Sequence, residues 1–93
     1  MSILNLFQLD NQVAIVTGAG RGIGQAIAVG FAEAGADVVI GARTLSELEQ
    51  TAEAVKKAGR RAVIVKTDIL KAEDRKALID AAINEFGRLD ILV

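Results

Sequence analysis

The sequence predicts an α/β fold built on a parallel sheet. Three observations carry this. Short apolar runs rich in Val and Ile recur along the 93 residues; segments with helical apolar spacing lie between them; glycines close those segments. Continuous apolar runs suit strands covered on both faces, and amphipathic segments between them suit the helical crossovers that parallel strands require. The order reads βαβαβαβ, with right-handed crossovers expected.

The first run, Gln12 to Thr17 (QVAIVT), is β-branched and ends at a cluster of glycines, so it reads as a buried strand. Ile23, Ala26, Ile27, Gly30, Phe31 and Ala34 then follow the i, i+3, i+4, i+7 spacing of one helical face, and Gly35 ends it. Asp37 to Gly41 (DVVIG) is a second strand. Thr44-Leu45-Ser46-Glu47 fits a capping box, in which Thr44 would cap the helix and Glu47 reach back to it. That helix shows Leu45, Leu48, Ala52 and Val55 and ends at Gly59. Arg61 to Asp68 carries a third strand. A third helix shows Leu78, Ile79, Ala82, Ile83 and Phe86 and ends at Gly87, although Lys71 is a poor residue for its N-cap. Leu89 to Val93 (LDILV) is a fourth strand. The natural strand order is 3-2-1-4, which leaves the last strand as an apolar edge prone to self-association.

Composition narrows the chemistry. Net charge is −1 and pI about 5.3, unlike a nucleic-acid or anionic-membrane binder. Cys and His are both absent. That excludes thiol catalysis, disulfides, ordinary zinc sites and a His-based triad within these residues. The start, MSILNLFQLD, lacks a basic segment and reaches Asp10 quickly, so no signal peptide is expected. No apolar run approaches the ~18 residues of a membrane helix. A cytoplasmic location is the default expectation. Lys56, Lys57, Arg60 and Arg61 cluster at a helix end, where they complement its dipole; Glu73, Asp74, Asp80 and Glu85 read as solvated charges.

The glycines at 18, 20, 22 and 24 follow a strand and open a helix. They do not fit G-x-G-x-x-G, which needs glycine where Ile23 or Gln25 stands. No Gly-Lys pair exists, so the triphosphate-binding loop is excluded as well. Glycine lets the backbone turn sharply and approach a ligand closely, and a helix amino terminus offers free N–H groups and a positive dipole end. A pyrophosphate suits that place. The three-residue gap between Gly18 and Gly22 widens the turn, and Gly24 permits close packing of helix on strand. A glycine-rich turn without a ligand is the competing reading.

Thr17-Gly18-x-x-x-Gly22-Ile23-Gly24 resembles the T-G-x-x-x-G-[IL]-G signature of short-chain dehydrogenases/reductases (SDR). VAIVTG from Val13, Asp68 after the third strand and GRLDILV from Gly87 also stand where that family has them. The resemblance implies a Rossmann-type doubly wound sheet and nicotinamide-dependent redox chemistry on an alcohol or carbonyl substrate. It implies that Gly18, Gly22 and Gly24 line the pyrophosphate, with Gly20 also in the cofactor-binding turn, and that the Ile23 N–H meets a phosphate. It makes Asp68 the carboxylate facing the adenine amino group, with the Ile69 backbone beside it. An Asx turn at the strand end is the alternative for Asp68.

Cofactor choice is read after the second strand. An acid there binds the ribose diol of NAD; this sequence has Gly41-Ala42-Arg43. Arg43 suits the 2′-phosphate of NADP, to which it can donate in a fork. A cation near a helix start opposes the dipole, which favours a ligand role over a solvated charge. Arg21 stands where NADP-preferring relatives often carry a second basic residue. Each cation would add roughly 1.5–3 kcal/mol before screening, so NADP(H) is expected to be preferred about 10- to 1000-fold, with NAD(H) still possible.

The family's catalysis needs an Asn after the fourth strand, a Ser, and a Tyr with a Lys four residues on. This sequence has no Tyr and reaches Val93 just before the Asn-Asn-Ala-Gly stretch the family shows next. The expectation is a cofactor-binding portion, residues 1–93, of a longer oxidoreductase cut after its fourth strand, inactive alone, whose parent is a homotetramer or homodimer. A non-catalytic NAD(P)-binding module and a minimal scaffold with a vestigial loop are the alternatives. Substrate identity is not readable.

Overall fold

The computed structural model describes residues 10–93; the expectation about a signal peptide concerns residues outside these. Seven elements alternate: β1 (Val13–Thr17), α1 (Gly22–Glu33), β2 (Asp37–Ala42), α2 (Leu45–Lys57), β3 (Ala62–Lys66), α3 (Ala72–Phe86) and β4 (Ile91–Leu92). The strands form one sheet in the order β3-β2-β1-β4. Every pairing is parallel, with Val13 opposite Asp37, Val38 opposite Ala62 and Ala14 opposite Ile91.

Strand side chains alternate between the two faces, and the core divides accordingly. Ala14, Val16, Val38 and Ile40 face α1 and α2, meeting Ala28, Ala32, Leu48, Ala52 and Val55. Val13, Ile15 and Val39 face α3, meeting Leu78 and Ala82. The result is three layers, with two helices on one face and one on the other. Ile15, Ile40 and Leu48 are fully buried, each worth about 1.5–3 kcal/mol of transfer free energy.

Helix ends follow the glycines. Gly35, Gly59 and Gly87 have φ of +106°, +84° and +76° and terminate α1, α2 and α3. The start of α2 differs from expectation. Thr44 occupies the N-cap of α2 but makes no side-chain cap bond. Glu47 instead turns to Arg21, at 3.8 Å. The capping box is therefore absent, because its acid is drawn sideways to a cation on the glycine turn. Lys71 caps α3 without a side-chain bond, as its chemistry dictates. Asp74, in the first turn, accepts from the Asp68 N–H at 2.9 Å.

Two apolar stripes are narrower than the spacing suggests. Ile23 is 80% exposed, at the mouth of the glycine turn rather than on the buried face of α1. Ile79 and Ile83 are exposed on α3, whose buried contacts come from Leu78 and Ala82. The fourth strand is also shorter than Leu89–Val93, although its backbone pairing is wider than two residues. Asp90 N–H donates to Val13 O, Val93 N–H to Ile15 O, and Thr17 N–H to Val93 O, at 2.9–3.0 Å. The basic cluster is structural: Arg60 pairs with Asp37 at 3.2 Å, and Arg61 lies over the Phe86 ring at 4.9 Å.

Candidate dinucleotide site

The carboxyl ends of β1, β2 and β3 meet the amino end of α1 at one edge of the sheet. In this class of sheet, ligands bind where neighbouring connections leave on opposite faces. Here α1 leaves β1 on one face of the sheet, and α3, which leaves β3, covers β1 on the other. Three adjoining depressions run along that edge. The middle one, about 260 Å³, is lined by Thr17, Gly18, Gly41, Ala42, Arg43, Thr67 and Ile69. It shares Arg43 and Thr67 with one of about 420 Å³ that reaches Asp68 and Lys71. It shares Thr17 and Ile69 with an apolar one of about 340 Å³ beneath Leu78, Ile79 and Leu92.

The glycine turn is built by two different demands. Gly18 and Gly22 have φ of +63° and +64°, the left-handed region, with open space where a Cβ would stand. Gly24 is required by contact: a Cβ there would lie 2.6 Å from the Gly18 carbonyl carbon and closer still to its oxygen. The helix thus packs on the turn itself rather than on the strand before it. Ala19, at the bottom, is fully buried. Its N–H donates to Gly41 O at 3.2 Å, and its carbonyl accepts from Thr51 Oγ1 at 2.7 Å. The first turn of α1 contains no acidic residue. Its leading N–H groups lack intrahelical acceptors and favour an anion.

The charged residues come in pairs. Arg43, directly after β2, lies 3.4 Å from Asp68 Oδ1, after β3. Asp68 Oδ1 also accepts the Leu70 N–H at 3.0 Å, which is an Asx turn. That backbone donor, then Arg43, holds the Asp68 carboxyl below its usual range. Arg21 pairs with Glu47. Each cation expected at a 2′-phosphate therefore faces a carboxylate. Both remain well exposed, at 84% for Arg21 and 69% for Arg43. Pairs this exposed are worth ~0–1 kcal/mol and exchange partners readily.

The structure gathers the expected residues into one region. Gly18 to Gly24 form the turn and helix start, Arg43 stands one residue beyond β2, and Asp68 and Ile69 follow β3. Sequence reasoning missed Thr51 and misassigned Glu47. Thr51 had a signal: it is the polar member of the otherwise apolar stripe Leu48, Thr51, Ala52, Val55, and all four are buried.

Comparison with known proteins agrees with this architecture. The chain is 52% identical over 91 residues to an uncharacterized oxidoreductase of Mycobacterium tuberculosis, covering 98% of this chain and 35% of that protein. It superimposes on a short-chain type dehydrogenase/reductase from Mycobacterium marinum with a TM-score of 0.92 at 35% identity, covering 99% of this chain and 37% of that one. It also matches L-sorbose reductase from Gluconobacter frateurii, complexed with NADPH and L-sorbose, with a TM-score of 0.87 at 37% identity, covering 92% and 33%. The chain spans about a third of the length of the curated relatives it matches. Residues 12–93 match the short chain dehydrogenase family model, and the chain belongs to that family of oxidoreductases.

Proposed function

We propose that the chain forms the dinucleotide-binding part of an NADP(H)-dependent oxidoreductase acting on an alcohol or carbonyl substrate. The observation that carries this reading is the turn after β1. Gly18 and Gly22 leave open space where side chains would stand, and Gly24 brings an acid-free helix start onto the turn. Such a cradle fits a pyrophosphate. When bound, the nicotinamide donates or accepts the hydride.

The chain's own residues orient the dinucleotide. Gly18, Gly20, Gly22, Gly24 and the Ile23 N–H receive the pyrophosphate. Asp68 and the Ile69 backbone meet the adenine. Arg43, with Arg21, engages the 2′-phosphate by exchanging its carboxylate partner. The Gluconobacter relative complexed with NADPH supports this choice; NAD(H) binds more weakly. The Tyr and Lys that handle the substrate proton are not supplied by these residues, which contain no Tyr. They belong to the remainder of the whole protein, a cytoplasmic homo-oligomer in this reading.

Titration of the Arg43→Asp variant with NADP and NAD tests the assignment. The preference should reverse, with NADP affinity falling at least about tenfold and NAD affinity held or raised. If the two affinities move together, Arg43 does not read the 2′-phosphate.

A further inference from the structure

Thr51 is a threonine in the middle of α2, fully buried, on a stripe otherwise made of Leu48, Ala52 and Val55. A valine would fill the same volume with no polar atom to satisfy. Burying a hydroxyl is unfavourable unless it is hydrogen-bonded, so its partner matters. A helical threonine ordinarily donates to the carbonyl four residues back. Here that oxygen, on Glu47, lies at 3.3 Å. The Ala19 carbonyl lies at 2.7 Å and that of Gly20 at 3.4 Å. A hydroxyl has one proton to donate, and the shortest contact takes it. The bond therefore leaves its own helix and crosses to the glycine turn.

The receiving residue is the fixed point of that turn. The Ala19 N–H is held by Gly41 O at 3.2 Å, so the peptide groups on both sides of Ala19 are anchored. One anchor is the end of β2 and the other is α2. The backbone from Gly20 to Gly24 is projected from this point. We infer that Thr51 is a positioning residue: through its hydroxyl, α2 sets the orientation of the turn that receives the dinucleotide pyrophosphate. This rests on the dinucleotide reading above, but the tether itself does not.

Two substitutions separate positioning from packing. Thr51→Val keeps the volume and removes the donor; Thr51→Ser keeps the donor and loses a methyl. Amide hydrogen exchange read without any ligand should quicken several-fold from Ala19 to Gly24 in Thr51→Val, with β1 and β2 unchanged. Thr51→Ser should restore the turn. Affinity for NADP should fall about fivefold in Thr51→Val, while affinity for adenosine, which lacks both the pyrophosphate and the 2′-phosphate that Arg21 on the turn would meet, holds. Unchanged exchange at the turn, or a uniform rise across turn and strands, overturns the inference. So does equal loss of both ligands. If the unsubstituted protein binds no NADP, the dinucleotide reading fails instead, and the ligand-free exchange still judges the tether.

Discussion

The guanidinium of Arg43 lies 3.4 Å from the Asp68 carboxylate, joining the ends of two neighbouring strands across the candidate adenosine site. A 2′-phosphate has to draw Arg43 from this partner. Asp68→Asn keeps an oxygen for the Leu70 N–H and for an adenine amino group while removing the competing charge. The preference for NADP over NAD should rise about two- to fivefold. Parallel titrations of both cofactors measure it, and a fall in preference would mean that the two residues act jointly.

The glycines of the turn are not equivalent. Gly24→Ala places a methyl group against the Gly18 carbonyl, a backbone atom with nowhere to go. It should destabilise the fold by about 3 kcal/mol and abolish dinucleotide binding. Gly20→Ala meets side chains only: Glu47 Oε2 at 2.8 Å, which can swing away, Glu47 Cβ at 3.0 Å, which has to give by a few tenths of an ångström, and Ala42 Cβ at an ordinary 3.5 Å. Thermal unfolding of the two variants should differ clearly, with Gly20→Ala much the milder.

Gly30 sits in α1 with nothing within 4 Å of an added Cβ. Its role is not steric, and Ala is the better helix former. Gly30→Ala should stabilise by about 0.5–1 kcal/mol, raising Tm by roughly 2–8 °C. Calorimetry showing no gain would point to a packing role for the bare backbone.

Asp90 binds the start of β4 to β1. Arg88 donates to Oδ1 at 2.7 Å, and the Val13 N–H donates to Oδ2 at 2.8 Å. Arg88 first, then Val13, holds the carboxyl below its usual range. A depressed folded pKa contributes stability that is complete above the unfolded value of about 3.9 and is lost as pH falls through the lower folded value. Protection of the Val13 amide should therefore decline below about pH 4, ahead of the core amides. Asp90→Asn should flatten that dependence. A pH-independent Val13 amide would remove Asp90 from the account.

Among the described residues β4 is paired on one side only, and Leu92, 64% exposed, lines a depression with Ile79. The chain is expected to self-associate through this edge. Leu92→Lys should shift it toward monomer in sedimentation runs. A stable monomer of the unsubstituted chain at high concentration would refute the expectation.

Much of this was legible because the strands and helices are specified locally. Val13 to Thr17, with apolar neighbours throughout, has no good alternative to a buried strand, and Gly35, Gly59 and Gly87 stop helices by a conformation few other residues adopt. The glycine turn was legible for the same reason. What escaped were side-chain choices decided by distant partners. Thr44 to Glu47 has the letters of a cap, but Arg21 competes for the acid from another element. Ile23 keeps helical phase with the core yet lies in the first turn, beyond the sheet's edge. Thr51 binds a carbonyl 32 residues away, a distance no local pattern spans.

The strand order also has a consequence for how the molecule comes to exist. β1 meets β2 after a single crossover, and β2 meets β3 after another, so these contacts close short loops. β1 meets β4 only by closing a span of 77 residues, a step with a larger entropic cost. On a chain emerging amino terminus first, the glycine turn has both of its anchors, Gly41 and Thr51, before β3 is complete. The second edge of β1 stays unsatisfied until β4 appears. The nascent chain thus anchors its glycine turn before the second edge of β1 is paired, and in that interval the exposed side of β1 is its point of greatest vulnerability.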